Sequence, residues 1–209
     1  MTARGATGAG PYDEAVSEWL AEGPRVAIRP VAPGDGPEFT RLVRASADLH
    51  HPWLSMPATE EDFAAYAATL DGEQRVSLLV CVRETGRAAG FVNINNIVRG
   101  RFQCGALGYG AFVPAAGRGL MSEGLGLVLR HAFGPLGLHR LEANIQPGNA
   151  ASLALVKRTG FRLEGFSPAF LFIDGAWRDH ERWAITADMP PDRQEGRPGP
   201  AAGRTGRQD

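Results

Sequence analysis

The stretch that most constrains this chain is FVPAAGRGLMSE, residues 112–123. An apolar run over residues 107–113 predicts a strand that ends at Pro114, and residues 122–133 have the apolar spacing of a helix. The turn between them contains two glycines. Free N–H groups at the start of such a helix form a site for an anion such as phosphate or pyrophosphate. A plain tight connection, whose glycines only supply positive φ, fits the same pattern.

Length and composition narrow the possible classes of protein. The chain has 209 residues, 44% of them hydrophobic, and a formal net charge of -1, which fits a globular domain and gives no electrostatic support for nucleic-acid binding. No apolar run approaches the roughly 18 residues of a membrane span. Cys81 and Cys104 fit no metal-ligand spacing, and we find no secretory h-region. We therefore predict no metal, no membrane contact and a cytoplasmic location.

Composition also divides the chain into three parts. Residues 1–24 are predicted to be a partly disordered extension, with a short helix where Tyr12, Val16, Trp19 and Leu20 fall at helical spacing. Residues 25–188 alternate strand and helix patterns and form the predicted domain. Residues 189–209 are predicted to be a disordered tail, because residues 190–209 contain four Pro, four Gly and four Arg without an aromatic or branched aliphatic residue.

The patterns within the domain give an order of elements. Strands are predicted over residues 25–31, 76–82, 88–98, 106–113, 139–145, 161–173 and 177–186. Helices are predicted to cover residues 38–49, to begin at Thr59, and to cover residues 120–133 and 150–159. The order is a strand, two helices, three strands, the glycine-turn helix, a strand, a helix and a hairpin, which indicates an α/β protein.

Three residues are candidates for contact with a substrate. Trp53 lies on a proline-rich loop, residues 50–57, where it either lines a cleft or anchors the loop to the core. Asn93 and Asn95 interrupt an apolar strand, where asparagine is unfavourable. Either they face a polar cleft or the end of the strand frays, and we predict the cleft. The adjacent His50 and His51 lack the spacing of a helical zinc pair.

In this order of elements, the chain resembles the GNAT (Gcn5-related) N-acetyltransferase superfamily, and within it the ribosomal-protein-alanine N-acetyltransferases of the Rim type. The resemblance covers about residues 25–188. It rests on four blocks, GYGAFVPAAGRGLMSEGL (108–125), LHRLEANIQPGNAAS (138–152), LVKRTGFRLEG (155–165) and IDGAWRDH (173–180). It implies a GNAT fold, with a mixed, mostly antiparallel sheet of about six to seven strands, splayed between the fourth and fifth strands and flanked by helices.

The resemblance implies that acetyl-CoA binds at the glycine turn and in the splay. Laid on the family pattern Gln/Arg-x-x-Gly-x-Gly/Ala, the chain keeps Gly119 but has Ala116 and Met121 at the outer positions. Free backbone groups of Phe112 and Val113 would hold the pantetheine arm and orient the acetyl carbonyl. The implied pyrophosphate site consists of Gly117, Arg118, Gly119, Leu120, Met121 and Ser122, in which the Arg118 side chain either contacts phosphate or is solvated.

The resemblance also implies roles for an Asn-x-x-Ser element. Asn149 would contact the cofactor arm, and Ser152 would protonate or hydrogen-bond the departing thiolate; ordinary N-capping by Asn149 is the alternative. The first candidate for the general base is Glu142, unless it forms an ion pair with Arg140 or Arg182. Asp179 is another candidate, which equally suits a role in fixing the hairpin. The carboxylate that relatives often carry near residues 169–172 is missing here.

The resemblance finally implies an enzyme that transfers acetyl from acetyl-CoA directly to a primary amine in a ternary complex. The first candidate acceptor is the N-terminal amine of a ribosomal protein. The alternative acceptor is a small amine, an amino acid or an aminoglycoside-like compound. An acidic cleft would favour a polyamine or an aminoglycoside. A non-catalytic acetyl-CoA-binding module is the alternative of another class. The protein is expected to be a monomer or a homodimer.

Overall fold

The computed structural model of the protein describes residues 19–189. The predicted tail from residue 190 and most of the predicted N-terminal extension, including Tyr12 and Val16, lie outside these residues. The strands are β1 (Ala21–Glu22), β2 (Val26–Pro30), β3 (Val76–Val82), β4 (Ala88–Val98), β5 (Cys104–Ala111), β6 (Arg140–Ile145), β7 (Arg162–Ile173) and β8 (Ala176–Thr186). The helices are α1 (Gly36–Ala45), α2 (Ala47–His50), α3 (Glu60–Ala67), α4 (Leu120–Phe133) and α5 (Ala150–Arg158).

The strands form one mixed sheet in the order β1-β2-β3-β4-β5-β6-β8-β7. Neighbouring strands are antiparallel except β5 and β6, which pair in parallel from Cys104 opposite Arg140 to Leu107 opposite Ala143. Beyond these pairs β5 and β6 separate. This confirms the mixed sheet with a splay between the fourth and fifth predicted strands. The sheet has eight strands rather than six or seven, because β1 is only two residues long and leaves no pattern in the sequence.

Apolar clusters cover both faces of the sheet. The larger cluster packs α4 against one face and includes Leu125, Val128 and Leu141. The smaller cluster packs α1 and α3 against the other face and includes Phe39, Phe63, Phe91 and Phe112. Strand β3 contributes to both clusters, which is why its sequence is a continuous apolar run.

Capping residues explain several helix boundaries. Thr59 caps α3 by accepting a hydrogen bond from the Asp62 N–H at 3.1 Å. Gly160, at φ 90°, follows the end of α5 in the left-handed conformation that glycine favours. The predicted helix over residues 38–49 is divided into α1 and α2 at the buried Ser46. None of the helices within the described residues is long and apolar enough to cross a membrane.

Strand β5 ends at Ala111, two residues earlier than predicted. A single 3-10 turn over Val113–Ala115 follows, in which the Ala115 N–H donates to the Phe112 carbonyl at 2.9 Å. Pro114 lies inside this turn and has no N–H to donate to a sheet. The turn directs the chain from the end of β5 to the start of α4.

Candidate active site

A cavity of about 360 Å³ lies where β5 and β6 separate. It is bounded by the end of β5, the glycine turn with the start of α4, the length of α5, and the end of α2 with the segment that follows it. The lining residues are Leu49, His50, Trp53, Leu54, Tyr109, Gly110, Ala111, Ala115, Ala116, Gly117, Gly119, Leu120, Met121, Ser122, Asn149, Ala151, Ser152, Ala154, Leu155 and Arg158.

The glycine turn presents backbone donors to this cavity. Gly117 and Gly119 have φ values of 73° and 75°, which a residue with a side chain rarely adopts. The first α4 amide bonded back to the turn is that of Glu123, which donates to the Gly119 carbonyl at 3.3 Å. The amides of the three preceding helical residues have no partner within the helix, so they are available to an anion.

Five of the six residues predicted to bind pyrophosphate line the cavity: Gly117, Gly119, Leu120, Met121 and Ser122. Arg118 does not, and its exposed side chain borders a different surface, with Pro24 and Glu84. Instead, Arg158 at the end of α5 lines the cavity and donates from Nη1 to the Ser122 Oγ at 3.2 Å. The sequence offers no sign of this cation, because it is 36 residues from its partner.

The N–H groups of Phe112 and Val113 are not free, as their predicted role requires, because both are bonded within the protein. Phe112 donates to the Ala89 carbonyl at 2.8 Å, and Val113 donates to the Ser46 Oγ at 3.0 Å. Neither residue lines the cavity. The residues of β5 that line the cavity are instead Tyr109, Gly110 and Ala111.

The direction of β5 shows which backbone groups face the gap. Because the Phe112 N–H points to β4 and strand groups alternate in direction, the backbone groups of Tyr109 and Ala111 point away from β4, toward β6. The Ala111 carbonyl accepts a hydrogen bond from the buried His50 Nε2 at 2.8 Å. The Ala111 N–H and the backbone of Tyr109 therefore face the splay.

The start of α5 joins the Asn-x-x-Ser element to the cavity. The Asn149 Oδ1 accepts the Ser152 N–H at 3.1 Å, so Asn149 caps the helix, and both residues also line the cavity. The Ser152 Oγ lies 2.6 Å from the Tyr109 Oη, a hydrogen bond between α5 and β5. Burial raises the pKa of Tyr109 to about 12. The sequence did not single out Tyr109, because an aromatic residue within a predicted strand is an ordinary feature.

Neither candidate general base is brought to the cavity. Glu142 accepts hydrogen bonds from the Arg140 Nε at 2.8 Å and the Arg182 Nη2 at 3.0 Å, which is the ion-pair alternative. The Asp179 Oδ1 accepts the Ala169 N–H at 2.8 Å and fixes a bulge in β7, where Ala169 has a φ of 47°. The contacts of both carboxylates are those of the structural alternatives, an ion pair for Glu142 and a hairpin contact for Asp179.

The three residues predicted to contact substrate differ in their placement. Trp53 lines the cavity, and a Cβ at Gly148 would lie 3.1 Å from its ring, so it reaches the loop before α5. Asn93 is buried, and its Oδ1 accepts hydrogen bonds from the hydroxyls of Tyr66 at 2.8 Å and Ser77 at 2.7 Å. Asn93 therefore forms an internal network, and the half-buried Asn95 also lies outside the lining.

The lining of the cavity carries little charge. Among the described residues that line it, Arg158 is charged and none is a carboxylate. Within residues 19–189, no group of three or more His, Cys, Asp and Glu side chains is arranged to hold a metal ion. The arrangement offers amide donors and a guanidinium at one end and hydroxyl groups at the splay.

The chain matches a protein-family model and resembles solved structures. A family model described as an acetyltransferase (GNAT) domain matches residues 25–162. A solved structure, Mycobacterium smegmatis RimJ in complex with CoA-disulfide, aligns with a TM-score of 0.72 and 29% identity, over 78% of this chain and 82% of that chain.

Two curated proteins that are similar in sequence to this chain are named as N-acetyltransferases. The chain is 27% identical over 174 residues to a probable N-acetyltransferase, YjcK, of Bacillus subtilis (strain 168), covering 79% of this chain and 96% of that protein. It is 41% identical over 108 residues to the ribosomal protein uS5-alanine N-acetyltransferase of Escherichia coli (strain K12). That match covers 52% of this chain and 54% of the relative, so it spans about half of each.

Proposed function

The chain belongs to the GNAT acetyltransferase family and is an acetyl-CoA-dependent N-acetyltransferase, and from that premise we propose that its acceptor is the N-terminal amine of a protein. A ribosomal protein is the leading candidate, because the E. coli relative is named for the alanine of uS5. That acceptor would place the enzyme in the cytoplasm. The observation that carries the proposal is the 41% identity over 108 residues to that relative, and the described residues that line the cavity include no carboxylate.

The residues of the cavity fit coenzyme A. The free amides at the start of α4, together with Arg158, suit the pyrophosphate, whose charge is also favoured by the positive end of the helix dipole. We assign the pantetheine arm to the splay beside Tyr109 and Ala111, in place of the residues predicted from the sequence. Asn149, at the start of α5 on the opposite wall, contributes to the arm's contacts.

When bound, acetyl-CoA supplies the acetyl group as a thioester, which the acceptor amine attacks directly. We assign the Ala111 N–H to the acetyl carbonyl oxygen, where a fixed backbone donor would stabilise developing negative charge. Ser152 is assigned to the sulfur, because its hydroxyl lies on the opposite wall of the splay. Holding amine and thioester together in one cleft supplies a large part of the rate.

The chemistry of the amine explains why no carboxylate is needed. An α-amino group has a pKa of about 7.7–8.0, so roughly a third of it is neutral near pH 7.5. A lysine side chain, with a pKa of about 10.4, is neutral to only about 0.1% at that pH. An α-amine therefore loses its proton to solvent without a strong base, whereas the more basic amines of a polyamine need a base to remove it.

A peptide that offers both kinds of amine tests the proposal. The peptide begins with alanine and carries one internal lysine, and mass spectrometry locates the acetyl group. We expect acetylation of the N-terminal amine, and a matched peptide with a formylated N-terminus should remain unmodified. Acetylation of the lysine in either peptide would contradict the proposal, as would a preference for spermidine over both peptides.

A further inference from the structure

The hydrogen bond between Tyr109 and Ser152 joins the two walls of the splay. Its length is 2.6 Å, it links β5 to α5 across 43 residues of sequence, and both side chains line the cavity. We propose that Tyr109 is a positioning residue, which holds the Ser152 hydroxyl as a hydrogen-bond donor to the sulfur that leaves the acetyl group. This inference rests on the proposed function, in which Ser152 faces that sulfur.

The direction of the hydrogen bond decides what Ser152 can do. A serine hydroxyl has one hydrogen to donate and two lone pairs that accept. If Ser152 donated to Tyr109, it would have no hydrogen left for the sulfur. If Tyr109 donates, the hydrogen of Ser152 is free to point into the cavity. Because burial raises the pKa of Tyr109 to about 12, the phenol keeps its proton and can donate at neutral pH.

A second contact limits the remaining freedom of Ser152. Its backbone N–H donates to the Asn149 Oδ1 at 3.1 Å, which orders the first turn of α5. Rotation of the side chain and of the hydroxyl hydrogen is what remains, and the contact with Tyr109 restricts both. Ser152 is thus held from its own helix and from the facing strand, as a preorganised donor requires.

The bonds and protons of the transfer balance without a proton from either residue. The amine nitrogen bonds to the acetyl carbon, and the C–S bond breaks with its electron pair left on sulfur. The nitrogen releases one proton to solvent, and the sulfur takes up one proton from solvent after it leaves. Ser152 and Tyr109 keep their hydrogens and stabilise the negative sulfur through a chain of two hydrogen bonds, each strengthened by the charge.

The binary complex with coenzyme A tests this chain of hydrogen bonds without any acceptor. The pKa of the bound thiol is measured from the ultraviolet absorbance of its thiolate, with desulfo-coenzyme A as the blank. We expect Ser152→Ala to raise this pKa by about 1 and Tyr109→Phe by about half as much. The double variant should match Ser152→Ala, because Tyr109 acts only through Ser152.

Control measurements separate positioning from folding. Tyr66→Phe removes a phenol that hydrogen-bonds to Asn93 outside the cavity, and it should leave the thiol pKa unchanged. In turnover assays, Tyr109→Phe should lower kcat about threefold to tenfold and Ser152→Ala about tenfold to 100-fold, each with the affinity for acetyl-CoA retained by calorimetry.

Two results would overturn the inference: the same thiol pKa in wild type and Tyr109→Phe, or independent effects that add in the double variant. Its failure is distinguishable from that of the proposed function. A wild-type protein that shows the expected thiol pKa pattern but acetylates no N-terminal amine would support Tyr109 and remove the proposed acceptor. A wild-type protein that does not bind coenzyme A would overturn both.

Discussion

Arg25, just before β2, and Glu123, in the first turn of α4, are joined by two hydrogen bonds, and Val26 adds a third to the same carboxylate. The Glu123 carboxylate accepts the Arg25 N–H at 2.7 Å, the Arg25 Nε at 2.8 Å and the Val26 N–H at 3.1 Å. The same guanidinium donates to the carbonyls of Arg118 and Gly119 at 3.1 and 3.4 Å. This set of contacts holds the carbonyls of Arg118 and Gly119 toward Arg25 and ties the glycine turn to the start of β2.

This relationship predicts that Arg25→Met weakens binding of acetyl-CoA about threefold to tenfold, because the turn loses the group that orients its carbonyls. An exposed ion pair contributes little to stability, so the melting temperature should change by only about 1–3 °C. Calorimetry of acetyl-CoA binding measures the first effect. Arg83→Met, which removes the exposed Arg83–Glu22 ion pair, is the matched control, and equal losses of affinity in both variants would contradict the assignment.

Substitution within the turn should have a larger effect. Gly119→Asp places a side chain at a φ of 75° and a negative charge beside the amides assigned to pyrophosphate. We expect affinity for acetyl-CoA to fall at least about 100-fold by calorimetry. Gly86→Asp introduces the same change at a φ of 70° in the turn between β3 and β4, so it controls for backbone strain and charge. Unchanged affinity in Gly119→Asp would remove the turn from the site.

Asn93 should govern stability rather than catalysis. Asn93→Ala deprives the hydroxyls of Tyr66 and Ser77 of a shared acceptor in a buried network. The free energy of unfolding in urea should fall by about 1–3 kcal/mol, with the kinetic constants of the folded enzyme retained. Asn95→Ala, on the same face of β4 but half-buried, should cost less. A large rise in the KM for the acceptor in Asn93→Ala would restore Asn93 to the site.

The acid stability of the sheet should depend on Glu164. Hydrogen bonds from Arg140, and then from Arg162, lower the pKa of Glu164 from its usual 4.5 to about 2. A depressed folded-state pKa stabilises the protein above the unfolded value, and that contribution is lost as pH falls from 4.5 toward 2.

Glu164→Gln should therefore lower the melting temperature by about 1–3 °C at pH 7, and the difference from wild type should shrink below pH 4.5. Glu84→Gln, in the exposed turn between β3 and β4, is the control. A difference for Glu164→Gln that stays constant from pH 7 to pH 3 would show that the ion pairs do not couple to folding.

Much of the fold could be predicted because its elements have strong local patterns. The predicted bounds of β3 and α4 match the structure, since the first is a continuous apolar run and the second is enclosed by Gly119 and Gly134. The splay and the cavity-lining residues of the glycine turn followed from the resemblance. The end of β5 was misplaced because Phe112 and Val113 extend the apolar pattern, although their N–H groups bond to Ala89 and Ser46.

The residues that sequence reasoning missed depend on contacts between distant parts of the chain. Arg158 and Tyr109 have ordinary positions on a helix and a strand, and only the fold brings them to Ser122 and Ser152. Glu142 lies on a strand beside the splay, but Arg140 and Arg182 occupy its oxygens. Its substitution Glu142→Gln is therefore not expected to lower kcat.

The central claim is acetyl transfer to a protein N-terminus, and release of the coenzyme A thiol tests it most directly. Peptides beginning with Ala, Ser or Thr are compared with polyamines and aminoglycosides, while calorimetry measures acetyl-CoA affinity in parallel. We predict thiol release that depends on a free peptide N-terminus, with little release for the polycations. Turnover confined to the small amines would contradict the proposed acceptor, and tight acetyl-CoA binding without turnover on any amine would favour a non-catalytic binding module.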